Sequence, residues 1–435
     1  MSSRQNPTEI RFVHARRVWD SRGRPTVEAD VRLLGGATGR AIVPAGASKG
    51  TREALELRDG GHSHGGLDVL RAVAQVNGDI ARAVMGIAAD DQAALDEQLI
   101  ELDGTPNKSR LGANATLAVS MAAAHAAAAA HGVPLYQYLG GPDATLLPTP
   151  QVQIFGGGAH AGRRVDVQDF MVVCPGAKTF AQAIEWTAEV YRHAGLLMHS
   201  RGATFGVADE GGWWPVFNTN EQALEALLAA IERARFVPGE QVAIALDIAA
   251  SEFGRGGRYT LGLEHRELDS DGMIELLVRW IEKYPIVSIE DPLAEDDLDG
   301  FARFTRAVGS RVQVVGDDLL VSSPALLRQA AAAGAANTVL LKPNQRGTLT
   351  EILQCWQAAR QAGYAGIVSA RSGETEDTTI VHLAVGWQVG QLKVGAFARG
   401  ERMAKWNEGL RIEERLGARA RYAAAGVLGR NPPGR

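Results

Sequence analysis

Between Ile10 and Val43 apolar and polar positions alternate in three runs, Ile10 to Trp19, Thr26 to Leu33 and Gly39 to Val43, separated by SRGRP and LGGATG. A period of two, broken by glycine and proline, predicts strands joined by turns, here a three-stranded meander. From Ala54 to about Leu139 the apolar spacing becomes helical and rich in alanine and leucine, with Pro134 and Gly140 near its end. The pattern predicts a small α+β domain over residues 1–143, and Pro148 and Pro150 mark the passage to the next.

Beyond Pro150 the period changes again. VAIALD (242–247), IVSIE (286–290), VQVVGD (312–317), TVLLK (338–342), IVSAR (367–371) and LKV (392–394) are short apolar runs, with amphipathic stretches such as GMIELLVRWIEKY between them. Such alternation predicts βα repeats, and their number favours a parallel β/α barrel over residues 144–422, with 423–435 as a tail. The 435 residues suit a barrel of about 250 residues plus a smaller module.

The strand ends carry the chemistry. Asp247, Glu290, Asp317, Lys342 and Arg371 each close an apolar run, and Lys393 lies within the last. One charged residue in such a place is usually a solvated turn residue, but the carboxyl ends of barrel strands share one mouth, so these six would surround one cavity. Three carboxylates from successive strands make a hard oxygen site suited to magnesium; an ion-pair network with Lys342, Lys393 and Arg371 is the other reading. A lysine is ordinarily protonated at neutral pH, yet two lysines beside a metal depress each other's proton affinity, which makes Lys342 a candidate base. A cation there would stabilise an enediolate formed by proton loss next to a carboxylate.

Composition narrows the remaining choices. With 46% apolar and 22% charged residues the chain can bury large cores, and a formal charge of −5, mixed along the sequence, offers no surface for nucleic acid. Cys174 and Cys355 lie far apart without metal-ligand spacing, which fits a reducing compartment. MSSRQNPTEIRF has no apolar signal core, and the alanine run from Ala115 to Ala130, interrupted by His125, reads as a buried helix. These features predict a cytoplasmic protein that contacts no membrane.

Several segments go further: DSRGRPTVE (20–28), VPAGASKG (43–50), LDGTPNKSRLGANA (102–115), ADEGG (208–212), SIEDPLAEDD (288–297), GDDLLV (316–321), LLKPNQRGTLTE (340–351) and ARSGETEDT (370–378). Through them the chain resembles the enolase family over nearly its whole length, from about Ile10 to Tyr422. The resemblance implies an enolase-type barrel behind an α+β domain, acting on a small phosphorylated or phosphonylated carboxylic acid as a homodimer or higher homo-oligomer. It implies that Asp247, Glu290 and Asp317 bind one magnesium and that Ser48, on a mobile lid, binds a second. A lysine base with a magnesium-stabilised enediolate is the general pattern of that superfamily. Lys342 would then be the base and Lys393 its partner at the substrate carboxylate. Glu210 would assist departure of the hydroxyl, paired with Asp169; Arg371 and Ser372 would contact phosphate, and His160 would sit on a closing loop.

The sequence also departs from the family. Asp169 stands where enolases carry glutamate, and one methylene fewer moves a carboxylate by about 1.5 Å. Ala370 replaces an expected histidine, Ala45 a serine and Lys49 a threonine, while Trp213, Trp214, Arg163 and Arg164 stand where smaller or polar residues are usual. Bulky rings at 213 and 214 would reshape the pocket, and Lys49 would offer a cation to the substrate. Three readings stay open: a phosphopyruvate hydratase, a specialised paralogue such as an enolase-like carboxyphosphonoenolpyruvate synthase of phosphinothricin-type antibiotic pathways, and a weakly catalytic binding protein.

Overall fold

The computed structural model describes residues 6–428, so the first five residues and residues 429–435 of the expected tail lie outside the described residues. Strands β1 (Ile10–Trp19), β2 (Pro25–Leu33) and β3 (Thr38–Ile42) form the expected antiparallel meander. Its first turn is set by Asp20, whose Oδ1 accepts the N–H groups of Arg22 and Arg24 at 2.8 and 2.9 Å, with Gly23 at φ 68°. Trp19 then faces Pro25 and Arg16 faces Glu28.

The inner face of the meander, including Val27, Ala29 and Val31, is fully buried against the helix Ala113–Ala130. Alanine is needed there because the backbones nearly touch. A Cβ on Gly39 would stand 2.1 Å from the carbonyl oxygen of Ala122. That accounts for an alanine run too short of large side chains for an ordinary core, and no helix among the described residues is long and apolar enough to cross a membrane.

The expected helical stretch begins later than its composition suggested. Residues 54–62 form no helix; this segment lies across the barrel, with Ala54 N–H donating to Gln345 O at 2.8 Å. Gly60 and Gly61, both near φ 72°, interrupt the stretch, and after a short 3-10 turn at Ser63–Gly66 the first α-helix starts at Leu70. Left-handed backbone at two successive residues outweighs the spacing of the flanking leucines.

Eight strands close a barrel: β4 (Thr149–Gly156), β5 (Asp169–Val173), β6 (Ala243–Asp247), β7 (Ile286–Glu290), β8 (Gln313–Gly316), β9 (Thr338–Leu341), β10 (Ala365–Ser369) and β11 (Gln391–Ala396). The ring is sealed by β11 pairing with β4, Lys393 opposite Gln151. It is not wholly parallel: β5 runs antiparallel to both β4 and β6. The link from β4 to β5 holds only a short 3-10 turn, and parallel neighbours need a longer crossover. Both strands escaped the periodicity of the sequence: VQIF runs into a glycine-rich loop, and DFMVV, although the helix Phe180–Ser200 follows it, is preceded by the polar loop RRVDVQ instead of a helix. The reversal brings the first residue of β5, Asp169, to the mouth where its neighbours end.

Candidate active site

Asp247 and Glu290 are the last residues of β6 and β7; Asp317 and Lys342 follow β8 and β9 directly, Arg371 follows β10 by two residues, and Lys393 lies within β11. All are buried at the same mouth. The Lys393 ammonium donates to Asp247 Oδ2 at 2.7 Å and Glu290 Oε2 at 2.9 Å, and lies 3.2 Å from Asp169 Oδ2. Lys342 Nζ pairs with Asp317 Oδ2. Gln168 Nε2 donates to Asp247 Oδ2 at 2.9 Å, the oxygen that Lys393 also bonds, and Gln345 Nε2 donates to Asp317 Oδ1 at 2.8 Å, the oxygen that Lys342 leaves free.

A second group closes the opposite wall. His160 Nδ1 stands 3.6 Å from Asp169 Oδ1 and 3.9 Å from Glu210 Oε1. Asp169 Oδ1 also accepts from Gln153 Nε2, whose amide oxygen takes the N–H of Gly212 at 2.9 Å. Gln153 thus ties the acid on β5 to the loop carrying Glu210. Burial opposes protonation of His160, but Glu210 and Asp169 outweigh it and raise the imidazole's pKa. Asp169 is held below the usual carboxylate range, with Lys393 and His160 overcoming its burial.

The third wall belongs to the loop of residues 45–48, the expected lid. Arg371 Nη1 donates to Asn344 Oδ1 at 2.8 Å and to Glu53 Oε2 at 3.1 Å, while Nη2 donates to the Ser48 carbonyl at 3.0 Å. Ser372 Oγ accepts the Ala47 N–H at 3.0 Å, and Ala45 and Gly373 exchange both backbone hydrogen bonds. Ser48, His160, Asp169, Glu210, Ala370 and Arg371 all line a narrow cavity of about 20 Å³, on the order of one or two waters.

Several expected features lie elsewhere. Lys49 does not line the cavity; its Nζ bonds Glu56 Oε2 at 2.8 Å. Arg163 Nη2 bonds Glu252 at 2.7 Å and Arg164 lies over the Trp214 ring at 5.6 Å. Trp213 stacks on Tyr191 with centroids 5.0 Å apart, and Tyr191 Oη donates to the Gly211 carbonyl at 2.7 Å. Neither tryptophan lines the cavity, so the two rings brace the Glu210 and His160 loops from behind instead of reshaping the pocket. Each added cation has found an acid or a ring of its own.

The charge balance is uneven. Asp169, Glu210, Asp247, Glu290 and Asp317 face the ammonium groups of Lys342 and Lys393, because Arg371 is matched by Glu53. Burial, then the charge of Asp247, pushes the Glu290 carboxyl well above the usual range. Burial alone would lower the Lys342 ammonium, but the Asp317 carboxylate more than offsets it and the pKa is raised. The mutual depression of the two lysines expected from the sequence is thus outweighed here by the acids around them.

The donor set of Asp247, Glu290 and Asp317 is all oxygen, and Glu290 Oε1 is buried without a hydrogen-bond partner. Hard oxygen donors with surplus negative charge fit a divalent cation such as magnesium. Among the described residues the tightest acid clusters are instead His160, Asp169 and Glu210, and Asp291, Asp317 and Asp318. Asp291 is spoken for: its two oxygens take the N–H groups of Asp317 and Asp318 at 2.9 and 2.8 Å. Gln153, Gln168, Gln345 and Asn344 were missed by sequence reasoning. Amides carry no charge to flag them; the one available signal was the position of Asn344 and Gln345, separated from Lys342 by Pro343 alone.

Residues 10–139 match the family model of the enolase N-terminal domain, and residues 144–430 that of the enolase C-terminal TIM barrel domain. The chain is 52% identical over 422 residues to a protein of Rubrobacter xylanophilus named enolase, a match covering 97% of this chain and 98% of that one.

Proposed function

The chain belongs to the enolase family of lyases, and on that premise we propose that it is a magnesium-dependent enzyme that enolises a 2-phosphoglycerate-type acid to phosphoenolpyruvate or a related enolpyruvate. The observation that carries this reading is the convergence at one barrel mouth of Lys342, Lys393 and Asp247, which line the cavity, with Asp317 and Glu290, which pair with the two lysines.

In this mechanism Asp247, Glu290 and Asp317 would hold the cation, and Ser48 would be a ligand of a second. When bound, it supplies positive charge that offsets the carboxylates, stabilises the enediolate and relieves Lys342 of the pull of Asp317. Lys342 Nζ removes the proton α to the substrate carboxylate. Lys393 supports that carboxylate, a place its contacts with Asp247 and Glu290 already hold. Glu210, with Asp169 and His160 beside it, gives the proton that leaves with the C3 hydroxyl. Arg371 and Ser372 grip the phosphoryl group, and closure of the lid over them excludes water. Following enol absorbance with 2-phosphoglycerate and magnesium tests this; turnover that vanishes on chelation and returns with magnesium is expected, and metal-independent or absent turnover would refute it.

A second reading is favoured by Ala370. Its methyl lines the cavity beside Arg371, where the family resemblance leads one to expect an imidazole, leaving room for a larger phosphorus substituent. A carboxyphosphonoenolpyruvate synthase would use that room. Hydratase turnover comparable to that of ordinary enolases would eliminate this reading.

A further inference from the structure

Arg402 takes no part in the chemistry above, yet it is fully buried beneath the site. It sits two residues into the helix Gly400–Leu416. Its Nη1 donates to the Arg371 carbonyl at 2.7 Å and the Val394 carbonyl at 2.8 Å, and its Nη2 to the Ser372 carbonyl at 2.5 Å. Among the described residues the carboxylate within ion-pair distance is that of Glu401, 3.4 Å from Nε. A buried guanidinium is costly to bury, so one spent chiefly on three backbone carbonyls calls for a reason.

The planarity of the trans peptide supplies one. A carbonyl turned toward Arg402 points the N–H of the same peptide the opposite way. The Ser372 carbonyl shows the result directly: it faces Arg402, and the Gly373 N–H on its far side donates to Ala45 of the lid at 2.9 Å. One peptide earlier, the Arg371 carbonyl faces Arg402, so the Ser372 N–H points away from Arg402, and Ser372 lines the cavity. The third carbonyl, that of Val394, adjoins Lys393.

We propose that Arg402 is a positioning residue for the anionic end of the substrate: its fork sets the peptide planes of residues 371–373, presenting one N–H to the phosphoryl group and the next to the lid. This rests on the phosphoryl-binding reading of Arg371 and Ser372 given above. Lysine keeps the charge at this position but not the fork, and methionine keeps neither.

The test is calorimetric titration of inorganic phosphate into wild type, Arg402→Lys and Arg402→Met, alongside steady-state kinetics with 2-phosphoglycerate. Hydrogen bonds from a charged donor predict that phosphate affinity falls about tenfold in Arg402→Lys and further in Arg402→Met. KM should rise in step, with kcat within a few-fold of wild type and magnesium affinity in the absence of phosphate unchanged. A folded Arg402→Lys with wild-type phosphate affinity and KM overturns the proposal, as does a loss confined to kcat. If neither variant folds, serine-selective 15N labelling of wild type decides: the Ser372 amide resonance moves on phosphate addition, and an unmoved resonance overturns the idea. Wild type that neither binds phosphate nor turns over 2-phosphoglycerate would instead sink the underlying functional reading.

Discussion

Asp169 and Asp247 stand directly opposite each other across the ladder between β5 and β6, the first opening its strand and the second closing its own. Because β5 runs against its neighbours, the shortened acid reaches the mouth from the start of a strand and is gripped there by Gln153, His160 and Lys393. Its carboxylate is therefore rigid but short of where a glutamate would extend by about 1.5 Å. Asp169→Glu combined with Ala370→His should raise kcat/KM for 2-phosphoglycerate by about tenfold or more, given how steeply rates depend on the placement of catalytic groups. No gain from the double variant would remove misplacement and the lost imidazole as reasons for this chain's departures.

Lys342→Ala should cost about a thousand-fold in kcat, within the range a positioned base contributes. The sharper readout is isotopic. Wild type should exchange the C2 proton of 2-phosphoglycerate with deuterated solvent, and Lys342→Ala should not, whereas Lys393→Ala should raise KM by weakening the hold on the substrate carboxylate. Exchange persisting in Lys342→Ala would assign the base elsewhere.

Legibility of the sequence followed charge and period. Asp247, Glu290, Asp317 and Lys342 were visible because a lone charge ending an apolar run stands out against its neighbours, and Lys393 because it interrupts one. Gln153 and Gln168 were not, since an amide in VQIF or VQDFM looks like any polar strand residue, and their value lies in partners that are distant in sequence. The meander and the parallel strands showed their periods, whereas β4 and β5 are joined by a loop without an α-helix, and the reversal of β5 left no local mark. Lys49 misled for a related reason: a cation in a lid loop reads as a substrate ligand until Glu56, seven positions on, is seen to hold it.

Gly39→Ala tests the close approach of the meander to the alanine helix. The new methyl would fall 2.1 Å from Ala122 O and 2.3 Å from Ala126 N, both backbone atoms that cannot step aside singly. Sheet and helix must separate, and overpacking of this kind costs about 1–3 kcal/mol. Urea denaturation should show a lower midpoint with the slope unchanged. A midpoint equal to that of wild type would mean that sheet and helix are not held as closely as described.

The last prediction concerns acid stability, and it turns on His382. This side chain is buried between the alanine helix and the C-terminal helices, stacked on Tyr136 with ring centroids 6.1 Å apart and edge-on to His125 at 6.4 Å. Burial first, then His125, lowers its pKa to about 4, against the opposing pull of Glu408, whose Oε1 lies 3.5 Å from Nε2, and of Asp377; Arg415 adds to the lowering. The imidazole is therefore neutral in the folded chain at pH values where the unfolded chain, with a pKa near 6.5, already binds a proton. Below that pH the unfolded state takes up more protons, so the stability contributed by neutral His382 is complete above about pH 6.5 and declines as pH falls toward 4. Across that window the decline amounts to roughly 3 kcal/mol. His382→Phe keeps the ring stacked on Tyr136 and removes the titration. Its unfolding free energy should fall less than that of wild type between pH 6.5 and pH 4, by roughly that amount, with His125, itself depressed by burial, accounting for part of the acid sensitivity that remains. Parallel stability curves for the two proteins over this range would show that His382 is protonated in the folded state and that Glu408 and Asp377 outweigh its burial.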